Sequence, residues 1–434
     1  MKKTLLLSVV ASTMIMAGGD IAPVEPIVVP VVESGWKFDG NMVAYYQTRD
    51  NTVANGAVAA QDLFGTDASA NNFGIQLRAV NDDLFWGLGA GFEVTGMATM
   101  SQLSDMPGGA IQTAGTYNNN IGGALTQAYL TYAIGAIDTS IKLGRQTLPK
   151  ALSPFAFSET WQPVKNTFDA ALVVNSSIPD TTLVYAFVDK MNGSMGNLDT
   201  FASLNTTNGV HMVTAQNKSI EGLTLTGSFY YGQELLAGPA PLLVNTNDTM
   251  IAWGEAKFNY EGYSIALQGG SVMDDDLAKN TVAYGAKIGA KFNLFDTDFG
   301  ACVAYSGVDD GSAGVFNVGG VKTPLYTQMV LNQGAISNNS NTVMAKLGAD
   351  VLYGHLAVAY GMSTESTNIA TNGAISTSAF GAKQLSDDYA ELDVTYKTKI
   401  TENTELFAAY VMTDDSAQTD TRNFVRVWAR YNFK

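Results

Sequence analysis

His211 and His355 are the only histidines of this 434-residue sequence, and Cys302 is its only cysteine. Each histidine stands alone in a strand-like segment, outside any HExxH element or spacing that would gather metal ligands, so no metal site is expected. A nucleophilic triad needs a serine activated by a histidine with a third group orienting it, and nothing near either histidine supplies one. Gly87, Gly89 and Gly91 do not complete GxGxxG and lie in a strand pattern, so they are no phosphate cradle. Their inward wall is thin, which reads equally as simple curvature of the wall or as the close approach of another backbone, such as an internal loop. Cys302 falls at inward parity within a strand, where it reads as a small buried side chain with no disulfide partner. No catalytic or cofactor-binding residue is expected.

The residues whose spacing does imply chemistry are charged, and they recur at period two inside weakly apolar stretches. Arg78, Lys142, Lys257, Lys287, Lys291, Lys346, Arg426 and Arg430 share one parity, with Glu93, Asp169, Glu255, Asp350, Glu391 and Asp393 opposing them. Such rings on a water-facing wall select solutes by field and width, without catalysis. Arg145 precedes a long connector, residues 147 to 166, that carries Lys150, Glu159 and Lys165. Opposed signs across a narrow gap would set a transverse field that orients polar solutes. Strict alternation from Ile141 and Leu143 points Arg145 at lipid, which costs about 2–4 kcal/mol at the bilayer midplane. Either it sits above the apolar band or a bulge turns it inward, and the inward turn is the favoured expectation.

The elements that must position these charges are strands. In the closing stretch Val425, Val427, Ala429, Tyr431 and Phe433 alternate with Arg426, Trp428, Arg430 and Asn432. Some eighteen stretches repeat this rhythm and their connectors alternate short and long, the signature of an all-β, antiparallel, up-and-down transmembrane barrel. Eighteen strands are expected, with sixteen possible, because the stretches 181–189, 210–216 and 405–412 mix both faces. Short turns belong on the periplasmic side and long loops outside, which makes both termini periplasmic. Closure lets weakly apolar strands cross lipid, since a ring leaves no unpaired backbone edge. Tyr46, Trp86, Tyr132, Tyr260, Tyr263, Tyr305, Tyr353, Tyr396, Tyr431 and Phe433 sit near strand ends and would form interfacial girdles.

Charged residues are only 15% of the chain and mean hydropathy is +0.05, with no run of about 18 apolar residues beyond the first twenty positions. Lys2, Lys3, the apolar run from Leu5 to Met16 and the small residues 17–19 read as a signal peptide over residues 1–19. Residues 20–35, with Pro23, Pro26 and Pro30, read as an extended periplasmic tether, and residues 36–434 as one barrel. Loss of the two signal lysines makes the formal charge of −16 two units more negative, which argues against nucleic-acid partners. Much of the acid lies in connectors, at Asp274–Asp276, Asp309–Asp310, Asp387–Asp388 and Asp414–Asp415, where it reads as solvated loop or, more sharply, as a pore mouth that draws cations.

With signal, strand rhythm and terminal aromatic strand in place, the chain resembles Gram-negative porins. It is most similar to the major outer membrane porins of Campylobacter-related bacteria and their eighteen-stranded OprD-like relatives. The resemblance rests on IKLGRQ at Ile141–Gln146, on the third long loop after the fifth strand, and on RVWARYNF at Arg426–Phe433. It implies a trimeric, water-filled channel in the outer membrane, among lipid and lipopolysaccharide, with the third loop folded into the lumen. Passive diffusion of ions and small hydrophilic solutes follows, with weak cation preference. A substrate-specific channel with a saturable solute site, or a structural or adhesive barrel without an open pore, would share these features. The chain departs from the porin pattern at its end, where Lys434 follows the aromatic Phe433.

Overall fold

The computed structural model describes residues 35–50, 61–66, 68–99, 121–162, 164–192, 198–199, 201–204, 209–233, 248–274, 279–311, 313–318, 322–364, 377–378, 381–382, 388–416 and 421–434. The expected signal peptide, all but the last residue of the tether, and Asp275, Asp276 and Asp387 lie outside the described residues. No described helix is long and apolar enough to cross a membrane, and the architecture is a single ring of strands.

The first arc holds β1 (Lys37–Arg49), β2 (Ser69–Phe85), β3 (Leu88–Ala98), β4 (Ile121–Ile134), β5 (Thr139–Gln146) and β6 (Phe168–Asn175). The second holds β7 (Thr181–Met191), β8 (Val210–Asn217), β9 (Leu223–Gln233), β10 (Asp248–Tyr260), β11 (Tyr263–Asp274) and β12 (Thr281–Leu294). The third holds β13 (Thr297–Val308), β14 (Ser340–Val351), β15 (Gly354–Thr364), β16 (Asp388–Lys399), β17 (Thr404–Asp415) and β18 (Arg422–Phe433). Each strand pairs antiparallel with the next, and β18 returns to β1 from Gly40↔Phe433 to Arg49↔Phe424. The sheet counts nineteen strands only because Ala202–Ser203 adds a two-residue flap to the end of β7. Eighteen therefore close the ring, including the three stretches whose faces mix.

The phase of alternation holds along most of the wall. On β1, Met42 is exposed outward while Val43, Tyr45 and Gln47 are buried inward. On β10, Ile251 and Trp253 point in and Phe258 and Tyr260 point out. Cys302 is buried at inward parity, as its position predicts.

Local features depart from simple alternation in three places. The β2–β3 turn falls at Trp86–Gly87, both with positive φ, and not at the polar run Asn81–Asp83 that composition alone would favour. A register irregularity between Asn81 and Phe85 absorbs the polar residues. Asn81 and Asp83 then cap the turn, through Asp83 N–H to Asn81 Oδ1 (3.0 Å) and Gly87 N–H to Asp83 Oδ1 (2.9 Å). The thin glycine face of β3 makes room for a side chain of the next strand, where a loop backbone or simple curvature of the wall was expected. A Cβ on Gly91 would clash with the hydroxyl end of the Tyr129 side chain of β4. Finally, β6 has the opposite phase to the one assumed. Phe168, Ala170 and Val174 face the interior, where Leu148, Leu152 and Phe155 cover them, so Asp169 faces out.

That inversion follows from what fills the lumen. Buried apolar residues of a barrel wall need a partner inside, and here two connectors provide it. Residues 147–167 pack on β6, β7, β9 and β10, and residues 309–339 pack on β13, β14 and β16.

Candidate functional site

Loop 147–167 is gripped by opposite arcs of the wall. Trp161 C=O accepts from Tyr45 Oη (2.7 Å) and from Arg426 Nη1 (2.8 Å). On the far side Phe155 N–H donates to Tyr230 Oη (3.2 Å), and the Phe155 ring meets the Trp253 ring at 5.3 Å. Only a segment crossing the lumen can touch β1, β18, β9 and β10 together. Arg426 is fully buried and faces the Trp161 ring at 4.0 Å, with Nη2 donating to Gln47 Oε1 (2.6 Å). Its charge is thus a strut under the loop.

Loop 309–339 also turns inward, which its sequence did not announce. Leu331 N–H donates to Glu391 Oε1 (2.7 Å) and Val330 N–H to Asp393 Oδ2 (3.1 Å). Tyr389 Oη donates to the other Glu391 oxygen (2.6 Å), and Tyr326 Oη donates to Glu255 Oε1 (2.7 Å). The two loops then join. Phe157 N–H donates to Asn317 Oδ1 (2.8 Å), Asn317 Nδ2 donates to Phe157 C=O (2.9 Å), and Val318 N–H donates to Phe155 C=O (2.8 Å).

Glu159 sits at this junction. It is buried and accepts from Asn317 Nδ2 (3.0 Å) and Lys322 N–H (2.7 Å). Lys322 is equally buried, its ammonium donating to the carbonyls of Met329 and Val330. Burial lowers that ammonium to about 8, against the upward pull of Glu159, Glu391 and Asp393. Burial and the Glu255 carboxylate push the Tyr326 phenol upward.

The sequence-predicted residues separate into three groups. Facing the lumen are Arg78, Glu93, Lys142 and Arg430, with Lys150 on the loop. Arg78 pairs with Asp39 and with Glu93 (3.6 Å). Lys142 Nζ stands 3.7 Å over the Tyr129 ring, Arg430 lies 5.0 Å from Trp428, and Lys150 Nζ lies 5.2 Å from the Phe157 ring. Lys165 is half-buried at the end of the loop. Arg426 and Glu159 form the second group, consumed in holding loops instead of facing solute.

Arg145 and Asp169 form the third and are corrections. No bulge turns Arg145 inward; it pairs across the ladder with Asp169, at the parity of Leu143 and Ala171. Its guanidinium makes a bidentate bond to that carboxylate (2.8 and 3.1 Å), donates to Leu125 C=O (3.1 Å) and covers the Phe201 ring at 3.2 Å. An outward arginine is tolerable because its charge is paired and it lies at the end of a short strand. An arginine and an acid predicted at the termini of consecutive short strands could have revealed the pair.

Sequence reasoning missed Asn317, Lys322 and Tyr326. Their connector is long, but its inward course depends on wall acids distant in sequence. Among the described residues no group of three or more His, Cys, Asp or Glu could hold a metal ion. His355 Nδ1 instead meets Asp350 at 2.6 Å, and His211 Nδ1 meets Tyr185 Oη at 2.8 Å on the outer wall.

A closed eighteen-strand antiparallel ring has solved counterparts. Pseudomonas aeruginosa OccK9 (OpdG) superposes with a TM-score of 0.70 over 92% of this chain and 98% of that one, at 14% identity. Acinetobacter baumannii OccAB3 gives 0.69 over 92% and 99%, at 12% identity. The fold is that of the outer membrane channels. Pseudomonas aeruginosa OpdK, solved with vanillate, gives 0.66 over 92% and 98%, at 14% identity. No protein-family model matches the sequence, and no curated protein sequence matches it.

Proposed function

We propose that this chain is a passive diffusion channel of the Gram-negative outer membrane for ions and small hydrophilic solutes, assembled as a homotrimer among lipid and lipopolysaccharide. The observation that carries this reading is the meeting of two loops inside a closed barrel, pinned to each other through Asn317 and Glu159. Such a junction narrows a lumen to a fixed gap, and a fixed gap with charged rims is what solute selection requires.

A second reading, a saturable site for anionic solutes, is favoured by how the charges are used. Glu391, Asp393 and Glu159 are spent on backbone N–H groups of the loops, and Glu93 faces Arg78. Lys287 instead stands 4.7 Å from the Tyr326 ring, with the charges of Lys150 and of Lys257, itself paired with Glu255 at 2.7 Å, near it. An aromatic edge beside lysines suits a carboxylate solute, and OpdK is a structural counterpart solved with vanillate. The acidic mouths favour weak cation preference, whereas this lysine group favours anions.

Single-channel recording of the refolded protein tests both. A stable ohmic conductance supports the channel, and a permanently closed barrel refutes it. The reversal potential across a salt gradient gives the sign. Concentration-dependent block by an aromatic carboxylate, abolished in Lys287→Gln, would establish the saturable site.

A further inference from the structure

All eight short connectors of the barrel carry a large apolar residue at their exposed tip. Trp86, Phe295, Leu352 and Tyr353 are 81–100% exposed. Ile137, Ile178, Ile220 and Ile400 hold the same place in four other turns, and Tyr260 with Tyr263 in the last. Turns facing water ordinarily take Gly, Asn or Asp at such positions.

Backbone geometry makes the choice more pointed. Trp86, Phe295, Leu352 and Tyr353 have φ of 52°, 52°, 53° and 64°. Bulky side chains rarely adopt this left-handed region, whereas Asn and Gly do so readily. The chain therefore holds strained apolar tips where relaxed polar ones were available. Strain of this kind persists where something else compensates for it.

We propose that the periplasmic rim is immersed in the phospholipid interface of the inner leaflet, with the turn tips acting as an annular anchor that sets the depth of the barrel. The distribution identifies the occupant. A protein partner would cover one arc, but a membrane plane meets the rim on every side, and every turn carries a tip.

Continuity with the lipid-facing wall supports the same occupant. Phe292 stacks on Phe299 at 5.5 Å directly above Leu294 and Phe295, and Phe258 stacks on Tyr260 at 6.5 Å. The outward face of β12 reads Val282, Tyr284, Ala286, Ile288, Ala290, Phe292 and Leu294. At about 2.6 Å of height per tilted residue this apolar face is roughly 30 Å tall, more than the roughly 25 Å band of such barrels. Its lower end is thus already in the headgroup layer, and Phe295 extends it.

An acidic residue adjoins most tips: Asp138, Asp180, Glu221, Glu261, Asp296 and Glu402. These mark the aqueous limit and suit ammonium-bearing headgroups.

The test uses single-cysteine variants in a Cys302→Ala background: Ile178→Cys, Ile220→Cys and Leu352→Cys, with Asp310→Cys on the outer side as the wet reference. Each is labelled with a nitrobenzoxadiazole dye and refolded into phosphatidylethanolamine–phosphatidylglycerol vesicles. Iodide is present on both sides, or a headgroup nitroxide lipid is included. The three rim labels are expected to be quenched by the nitroxide and to be at least threefold less accessible to iodide than the reference. Iodide access equal to the reference at all three would overturn the proposal. Protection confined to neighbouring turns would overturn it in favour of a local protein contact. The inference rests on the barrel spanning a membrane, and vesicle flotation tests that separately: protein that fails to float refutes the channel reading, whereas protein that floats with wet tips refutes only the anchor.

Discussion

Lys322 offers the sharpest handle on the loop junction. Its ammonium is buried where loop 309–339 meets loop 147–167, and burial brings it down to about 8 from 10.5. That gap is worth about 3 kcal/mol at 1.36 kcal/mol per pH unit. The sign follows from proton counting: the opened loop binds the proton more tightly than the closed one, so closure is favoured as pH rises. The contribution is complete above 10.5 and is lost as pH falls through about 8. Between pH 7 and pH 9 the closed population should therefore gain roughly tenfold over the open one. Hydrogen exchange followed by mass spectrometry on peptides containing Val330 and Leu331, corrected for the intrinsic rate, reads this directly. Protection should rise about tenfold over those two pH units in the parent and stay flat in Lys322→Met. Protection that is flat or falling in the parent, or an unchanged slope in the variant, would refute the reasoning.

Other perturbations address separate contacts. Asn317→Ala removes both its bonds to Phe157 and its bond to Glu159, a loss of about 1–3 kcal/mol for buried partners left unpaired, and should raise conductance noise in planar bilayers. Gly91→Val should displace the Tyr129 ring and destabilise the barrel by about 1–3 kcal/mol through overpacking, seen as a lower urea midpoint in vesicles. Asp169→Val leaves Arg145 facing out without its carboxylate and should cost about 1–3 kcal/mol, with Arg145→Leu added to it restoring most of the loss; a double variant no better than the single one contradicts the pairing.

The wall was legible because its periodicity is local. Alternation over β1, β10 and β18 assigns nearly every side chain, and closure follows from the number of strands and their aromatic ends. The failures came where polarity stopped reporting on solvent. On β6 an apolar interior replaced water, so Phe168 turned in and Asp169 out. Arg145 was assigned a bulge because an outward arginine looked costly in isolation, whereas its partner on the neighbouring strand removes the cost. Glu159 was expected at an open gap because the third loop was considered alone. The inward course of loop 309–339 was not legible, since it is dictated by Glu391 and Asp393, some 60 residues further along the chain.

The wall grips both loops mainly by their backbones. Tyr45 and Arg426 hold the carbonyl of Trp161, Tyr230 receives the amide of Phe155, and Glu391 and Asp393 receive those of Leu331 and Val330. Main-chain groups are the same for every residue except proline. Loop side chains can therefore drift while the loop's course is kept. New solute preferences become reachable by single substitutions at residues such as Lys150 or Tyr326, and the barrel offers itself as a scaffold whose gap can be re-lined without being rebuilt.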